Sequence, residues 1–432
     1  MVGISEDRGF ISGYQTLLKK LLQDLQPSSL LQQTIFGTLE PPPAGKSDFL
    51  LATGKAARGM AETLSAQLSI PPKHVLVVIP RGYPPPDHLP FVAGNHPEPG
   101  KDSVDAARAS LSFVNGIDPG GRLLFALSGG TSSLLCMPVP GVTLEDKKTL
   151  VGKLMDAGAP IDILNCLRTH LSTIKGGNLL RNFHGYQVRT IVLSDVPCHP
   201  PEIVGSGPTI FHRQDGKRTL NMIEQWVPPQ EIPPSIRGHL LGLVPGDPPP
   251  FSRGTPEVVG DSRVVLEKAA KVLGRPGTRI HFLTHCLFGE ARVKGKEIAS
   301  LVQSLAPPGS GNHLFLAAGE CSVRLGKTRG RGGRTLELGL SCGLFLKNRS
   351  AVVGALATDG VDGNSGLSGV LLESRILRSP EKEKQLLEAL DSHDSGTFSE
   401  KEGIGLNFGA TGTNLNDLLF INISNDQETY PT

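Results

Sequence analysis

No stretch of this 432-residue chain approaches the roughly 18 consecutive apolar residues that a membrane-spanning helix requires, so nothing in it reads as a bilayer span. Charge of one sign is equally missing. Forty-three basic residues face 41 acidic ones, and a net charge of +2 leaves no electrostatic footprint for nucleic acid or an anionic membrane surface. Cysteine is sparse: Cys136, Cys166, Cys198, Cys286, Cys321 and Cys342 form no CxxC pair and keep no regular spacing. That pattern argues against a zinc site or a disulfide framework and suits free thiols in a reducing compartment. No GxxxxGK[ST] phosphate loop is present, and no GxGxxG follows a strand with an acidic residue at the ribose position. The first residues carry Glu6, Asp7 and Arg8 ahead of a helix-like segment, which is neither a secretory apolar core nor an acid-free transit peptide.

What is present is apolar material enough for large cores, 38% of residues, in a length that predicts two or three domains. The 52 glycines and 35 prolines suit many short loops between regular elements. Tyr14, Leu17, Leu18, Leu21, Leu22 and Leu25 recur at helical spacing before Pro27 and predict an amphipathic packing helix. Buried strands are predicted at residues 48–52, 74–79, 123–127 and 190–193, each running into a loop rich in glycine or proline.

The stretch that organises the chain is Leu123–Leu135, LLFALSGGTSSLL. It reads as strand, tight loop and helix. The first amides of a helix lack intrahelical partners and its dipole favours an anion, so such a junction suits a phosphate. Gly129 and Gly130 permit close backbone approach, while Ser128, Thr131, Ser132 and Ser133 supply hydroxyl donors or a cap. An earlier junction, Thr53-Gly54-Lys55-Ala56, puts Lys55 near a helix N-terminus, where the dipole disfavours a cation unless an anion is bound. His96 lies in a proline-rich loop, and Arg168, His170 and Lys175 fall within eight positions beside Gly176 and Gly177. Asp195 follows an apolar strand, where open α/β sheets place functional groups, though a turn aspartate fits as well.

Nine prolines between Val227 and Pro256 mark a linker of about 227–256, dividing an N-terminal domain, 1–256, from a C-terminal one, 257–432. The second part is again α/β. It carries Gly319-Glu320, a glycine loop with two arginines (Gly330 to Arg334) suited to an oxyanion or to a flexible hairpin, and Thr358-Asp359-Gly360-Val361-Asp362-Gly363. The two carboxylates of that last turn suit Mg²⁺ or a simple Asx-turn.

In order and spacing, GKAARGMA (54 to 61), NHPEP (95 to 99), LSGGTSSLL (127 to 135), NCLRTHLSTIKGGNL (165 to 179), SDVP (194 to 197), GSGPT (205 to 209), GE (319 to 320), GRGGR (330 to 334), TDGVDG (358 to 363) and TGTNLND (411 to 417) resemble the glycerate 2-kinases of the "multi-organism fragment with rich leucine" (MOFRL) family. The resemblance covers nearly the whole chain. It implies two α/β domains, a Rossmann-like α/β/α first domain and a smaller second one, with the active site in the cleft separating them. It also implies ATP and Mg²⁺ as cofactors and D-glycerate as the small-molecule partner, phosphorylated at its 2-hydroxyl.

The same resemblance distributes roles. Lys55 would hold a transferring or terminal phosphate, Ser128, Gly129, Gly130, Thr131 and Ser132 would bind the nucleotide, and Arg334 would stabilise the transferring group. Arg168 or Lys175 would clamp the glycerate carboxylate, with His96 beside the substrate. Asp195 would accept the hydroxyl proton or bind Mg²⁺, with Asp359 and Asp362 as the other metal candidates. The implied setting is cytoplasmic, or mitochondrial if a leader precedes this sequence, and a homo-oligomer is left open. The chain departs from the family pattern at Cys198-His199, where Gly-Asp is usual, at Thr335-Leu336, where Asn-Gln is usual, and at Cys321-Ser322, where Thr-Thr is usual. Two other readings stay in view: a hydroxypyruvate reductase, a label this family has often carried although no GxGxxG follows a strand here, and a non-catalytic relative that binds a ligand, which the departures favour.

Overall fold

A computed structural model describes residues 4–36, 39–198, 200–212, 215–243, 251, 255–326 and 330–424. The chain divides into two compact α/β units, one of Leu31–Ser194 with His199–Val259, the other of Met1–Leu30, Asp195–Cys198 and Gly260–Thr432.

The first unit is built on β1 (Ser47–Thr53), β2 (Val75–Pro80), β3 (Phe91–Gly94), β4 (Gly121–Ser128), β5 (Gln187–Leu193) and β6 (Glu257–Gly260), in the order β3-β2-β1-β4-β5-β6. Every pairing from β3 through β5 is parallel. This is the doubly wound order, in which the chain leaves the sheet's centre in both directions and neighbours β1 and β4 flank the point of reversal. All eight residues of β4 are buried, the continuous apolar pattern of a strand covered on both faces. At the far end of the same pair, Asp48 and Arg122 stand opposite one another and form a buried bidentate ion pair (2.7 and 2.9 Å), which ties the register.

A separate apolar cluster in this unit joins Leu150, Leu154, Leu167, Leu220, Ile232, Ile236 and Leu240. Its last members correct the predicted linker. Residues 227–243 include a helix, Pro234–Gly242, that begins on a proline and buries Ile236 and Leu240. Paired prolines there act as a helix start, because a first-turn amide needs no partner. Residues 244–250 and 252–254 of that stretch lie outside the described residues.

The second unit carries β7 (Arg279–Leu287), β8 (His313–Gly319), β9 (Ala351–Ala357), β10 (Gly369–Glu373), β11 (Gly405–Leu406) and β12 (Asp417–Ile423), in the order β11-β10-β9-β12-β8-β7. The final strand inserts antiparallel to both β8 and β9, while β7 and β8 run parallel. The amphipathic helix predicted near the N-terminus is present (Ile4–Asp24), but it belongs to this unit and not to the 1–256 domain. Tyr14 stacks on Phe420 at 5.8 Å and accepts a hydrogen bond from Asn422 (3.0 Å), so the chain's first helix covers its last strand. The cysteines also differ from expectation. Cys198 and Cys286 form a disulfide with Cα atoms 5.0 Å apart, and the other four remain free thiols. Spacing along the chain could not reveal this pair, because 88 residues separate it.

Candidate active site

The loops that follow β1 and β4 lie against one another at the point of strand reversal. Lys55 N–H donates to the Gly129 carbonyl (2.9 Å), and Ala56 N–H donates to the Ser128 hydroxyl (3.1 Å), which in turn donates to the Thr53 carbonyl (3.1 Å). Gly54 is required for this: its φ is +116°, and a Cβ would stand 2.2 Å from Ser128 Oγ. Gly130, at φ +85°, has the His96 ring about 3.0 Å and Lys55 Cγ 3.5 Å from where its Cβ would be. Three sequence candidates from three different loops therefore meet. The Lys55 ammonium is half-buried and has no hydrogen-bond or ion-pair partner among the described residues. Burial and the neighbouring Lys55 charge hold the His96 imidazole below its ordinary pKa, so it is neutral at pH 7.

The junction after β4 departs from expectation in two ways. Its helix is a single turn, Thr131–Leu134, too short to carry a macrodipole of consequence. Its hydroxyls hold the loop: Thr131 donates to the Ser128 carbonyl (2.8 Å), Ser133 to the Gly130 carbonyl (3.0 Å), and Ser132 receives Lys175 Nζ (2.6 Å). The amides of Gly130, Thr131 and Ser132 donate to no group among the described residues, so the loop's capacity for an anion lies in its backbone.

Lys175 is buried, and its ammonium reaches both the carbonyl and the hydroxyl of Ser132 (2.6 Å each). Beside it is Lys147, also buried, donating to the carbonyls of Leu171 (3.2 Å) and Arg168 (3.5 Å) at the end of the helix Ile161–His170. The Arg168 guanidinium makes no hydrogen bond or ion pair among the described residues. Burial lowers the pKa of all three, and the charges of Lys147 and Arg168 lower Lys175 further. Lys147 escaped the sequence reading, although it shares a helix face with Leu150 and Leu154 and so was legible as a lysine in an apolar stripe. His170 belongs to the framework instead, bonded to the Cys166 carbonyl (2.8 Å) and accepting the Asp215 amide (2.9 Å).

In the second unit Arg334 opens the helix Arg334–Phe345 and is held by Asp417 (2.8 Å) and Glu320 (2.6 Å). Those acids, with Asp362, outweigh burial and fix its charge more firmly. Asp417 pays for that arrangement: burial, opposed by Arg334 and reinforced by Asp362 and Glu320, pushes its carboxyl up to about 7. Asp362 accepts the amides of Thr335 (3.1 Å) and Leu336 (2.8 Å), so both of its oxygens cap the helix. Gly333 is glycine because a Cβ would fall 2.2 Å from the Asp362 carboxyl. Asp359 makes an Asx-turn through one oxygen to Val361 N–H (3.2 Å), and its other oxygen bonds to no group among the described residues. Asp195 directly follows β5 and is half-buried.

Among the described residues no group of three His, Cys, Asp or Glu side chains is placed to hold an ion, and Asp195, Asp359 and Asp362 stand as separate candidates for a metal-binding carboxylate. Asp362 caps the helix that begins at Arg334 through both of its oxygens. Mg²⁺ held with nucleotide phosphates needs only one or two carboxylates, and the second oxygen of Asp359 fits that demand. Among the departures from the family pattern, Thr335 and Leu336 are fully buried, Cys321 is a buried thiol pushed up to about 12, and Cys198 is in the disulfide. His199 lies outside the described residues.

Lysine, loop amides and a neutral histidine at a strand reversal make up a candidate anion site in an α/β protein that has no GxxxxGK[ST] loop. Comparison with known proteins names the kind. Residues 14–241 match the family described as "Domain of unknown function (DUF4147)", and residues 313–417 match the MOFRL family. D-glycerate 2-kinase of Thermotoga maritima is 29% identical over 412 residues, covering 93% of this chain and 96% of that protein. A putative hydroxypyruvate reductase of Agrobacterium vitis is 31% identical over 415 residues, covering 93% of each. The crystal structure of glycerate kinase from Thermotoga maritima superposes with a TM-score of 0.83 at 28% identity, covering 96% of this chain and all of that one. The chain belongs to the MOFRL-type glycerate kinase family, a family of ATP-dependent phosphotransferases.

Proposed function

We propose that this protein transfers the γ-phosphoryl group of ATP to the 2-hydroxyl of D-glycerate, releasing ADP and 2-phosphoglycerate. The observation that carries this reading is Lys55, a half-buried ammonium with no acidic partner, set beside neutral His96 and Gly130 at the point of strand reversal. Phosphoryl transfer asks mainly for positioning and for neutralisation of charge on the moving group. Lys55 and the free amides of Gly130 to Ser132 supply that for phosphate oxygens. Arg334, already oriented by Asp417 and Glu320, is assigned to the transferring group, and Arg168 with Lys175 to the glycerate carboxylate. Asp195 accepts the proton of the attacking hydroxyl as the new P–O bond forms and the bond to ADP breaks. Asp359 would hold Mg²⁺, which offsets phosphate charge when bound. We place the activity in the cytoplasm, where ATP is supplied.

A coupled assay of ADP release with MgATP and D-glycerate tests this, with the product identified by NMR. Exclusive 3-phosphoglycerate would refute the regiochemistry. The Agrobacterium relative's name and the doubly wound strand order favour a second reading, reduction of hydroxypyruvate. NADPH oxidation with hydroxypyruvate, and no ADP release, would establish it in place of the kinase.

A further inference from the structure

We infer that Lys147, Arg168 and Lys175 form one subsite for a compact oxyanion headgroup, with Arg168 as the contacting residue and Lys147 as a positioning charge. Resting on the kinase reading, the headgroup is the carboxylate of the α-hydroxy acid.

Three cations are drawn together in the first unit. Lys147 and Lys175 are almost wholly buried, and no carboxylate among the described residues approaches either ammonium or the Arg168 guanidinium. The groups that act on the Lys175 ammonium are Ser132, whose hydroxyl also meets Ser206, the Cys136 thiol, Lys147 and Arg168, while Ser172 takes the Lys175 backbone amide and His212 packs near Gly176. No carboxylate is among them. Local structure explains where two of the cations are tethered. Lys147 caps the last carbonyls of the helix Ile161–His170, and Lys175 holds the turn at Ser132. Partial charges on carbonyls do not offset three full ones, and a packing device would need only one lysine here. The Arg168 guanidinium is partly buried and bonds to no group among the described residues. A planar oxyanion satisfies the guanidinium bidentately and supplies the missing countercharge.

Proton linkage follows from the same cluster. Burial and the charges of Lys147 and Arg168 hold the Lys175 ammonium below its ordinary pKa, and an arriving anion favours its protonated form. Binding and protonation of Lys175 therefore favour one another, and binding weakens as pH rises through the Lys175 titration. Lys175 also grips Ser132, whose turn begins at Gly130 beside Lys55, so filling the subsite steadies the loop that carries the phosphate amides.

Calorimetric titration of the full chain with D-glycerate at a series of pH values is expected to show affinity falling towards alkaline pH. Lys147→Met should raise KM for D-glycerate about tenfold, far more than it lowers kcat, and should move the loss of binding to higher pH because one repelling charge is gone. Arg168→Gln should weaken D-glycerate binding at least tenfold at an unchanged Tm, and it keeps the inference testable if Lys147→Met fails to fold. Glycerol, which lacks the carboxylate, should not compete. Inorganic phosphate competing with D-glycerate supports an oxyanion subsite, whereas phosphate competing only with ATP overturns the carboxylate assignment. A lowered Tm with an unmoved pH profile in Lys147→Met, or unchanged binding in Arg168→Gln, overturns the subsite. The kinase reading fails separately: absence of ADP release in the parent, with D-glycerate binding still lost in Arg168→Gln, would sink the reaction and keep the subsite.

Discussion

Lys55 and Asp417 are the residues whose environments most constrain what their charges do. Lys55→Ala removes a cation with no structural partner, so kcat should fall by about 10²-fold or more, a cost of roughly 3 kcal/mol, while Tm stays within experimental scatter. Activity within a few-fold of the parent would return Lys55 to the role of a solvated side chain. Asp417 carries a pH signature. Its carboxyl titrates near 3.8 in the unfolded chain and is pushed up to about 7 by burial in the folded one. Within that window the folded state keeps a proton that the unfolded state has released, so stability declines as pH rises. Asp417→Asn does not titrate. The difference in Tm, parent minus variant, should therefore shrink from pH 5 to pH 7 and then level. A flat difference would show that Arg334 holds Asp417 ionised throughout.

The elements that matter most are the two loops after β1 and β4, because their contact places Lys55, His96 and Gly130 together. Gly54 is the hinge of that contact. Gly54→Ala must strain a residue at φ +116° and push a methyl group into Ser128 Oγ and its carbonyl, each a cost of about 1–3 kcal/mol. Urea unfolding should show a loss on the order of 2–4 kcal/mol, and kcat should fall with it as Lys55 moves. Retained stability would mean that the loops shift apart freely and that the contact does not position Lys55. In the second unit, Gly333 and the capping carboxylate of Asp362 form an equivalent close approach at the helix that begins with Arg334.

At the scale of the whole molecule, the second unit is assembled from three separated pieces of chain, the first helix, Asp195–Cys198 and everything after Gly260. Cys198–Cys286 ties the middle piece to β7 and closes a long loop. In the chain-entropy account such a crosslink stabilises by about 2–4 kcal/mol. Reductant should lower the urea midpoint of the parent by a corresponding amount and leave Cys198→Ser unchanged. An identical midpoint with and without reductant would show that the thiols are unpaired in solution.

Sequence by itself determined the parts whose physics is local. Alternation of apolar runs with glycine loops marked the strands and the loops at their ends, and those loops carry Lys55, Gly130, Asp195 and Arg334. Ten short motifs in order were enough for the family, since each records a loop whose backbone tolerates little else. Tertiary structure alone decided which side chains remain available for a ligand. Ser128, Thr131 and Asp362 have the right chemistry for phosphate or metal, and each is bonded within the fold, Ser128 and Asp362 to partners distant in the chain and Thr131 to the carbonyl of Ser128. Asp417 became prominent only through burial, which spacing does not encode. The same holds for the first helix against the last strand, and for two cysteines 88 residues apart: partners distant in sequence are chosen by the packing of whole elements, and no short window of residues contains that information.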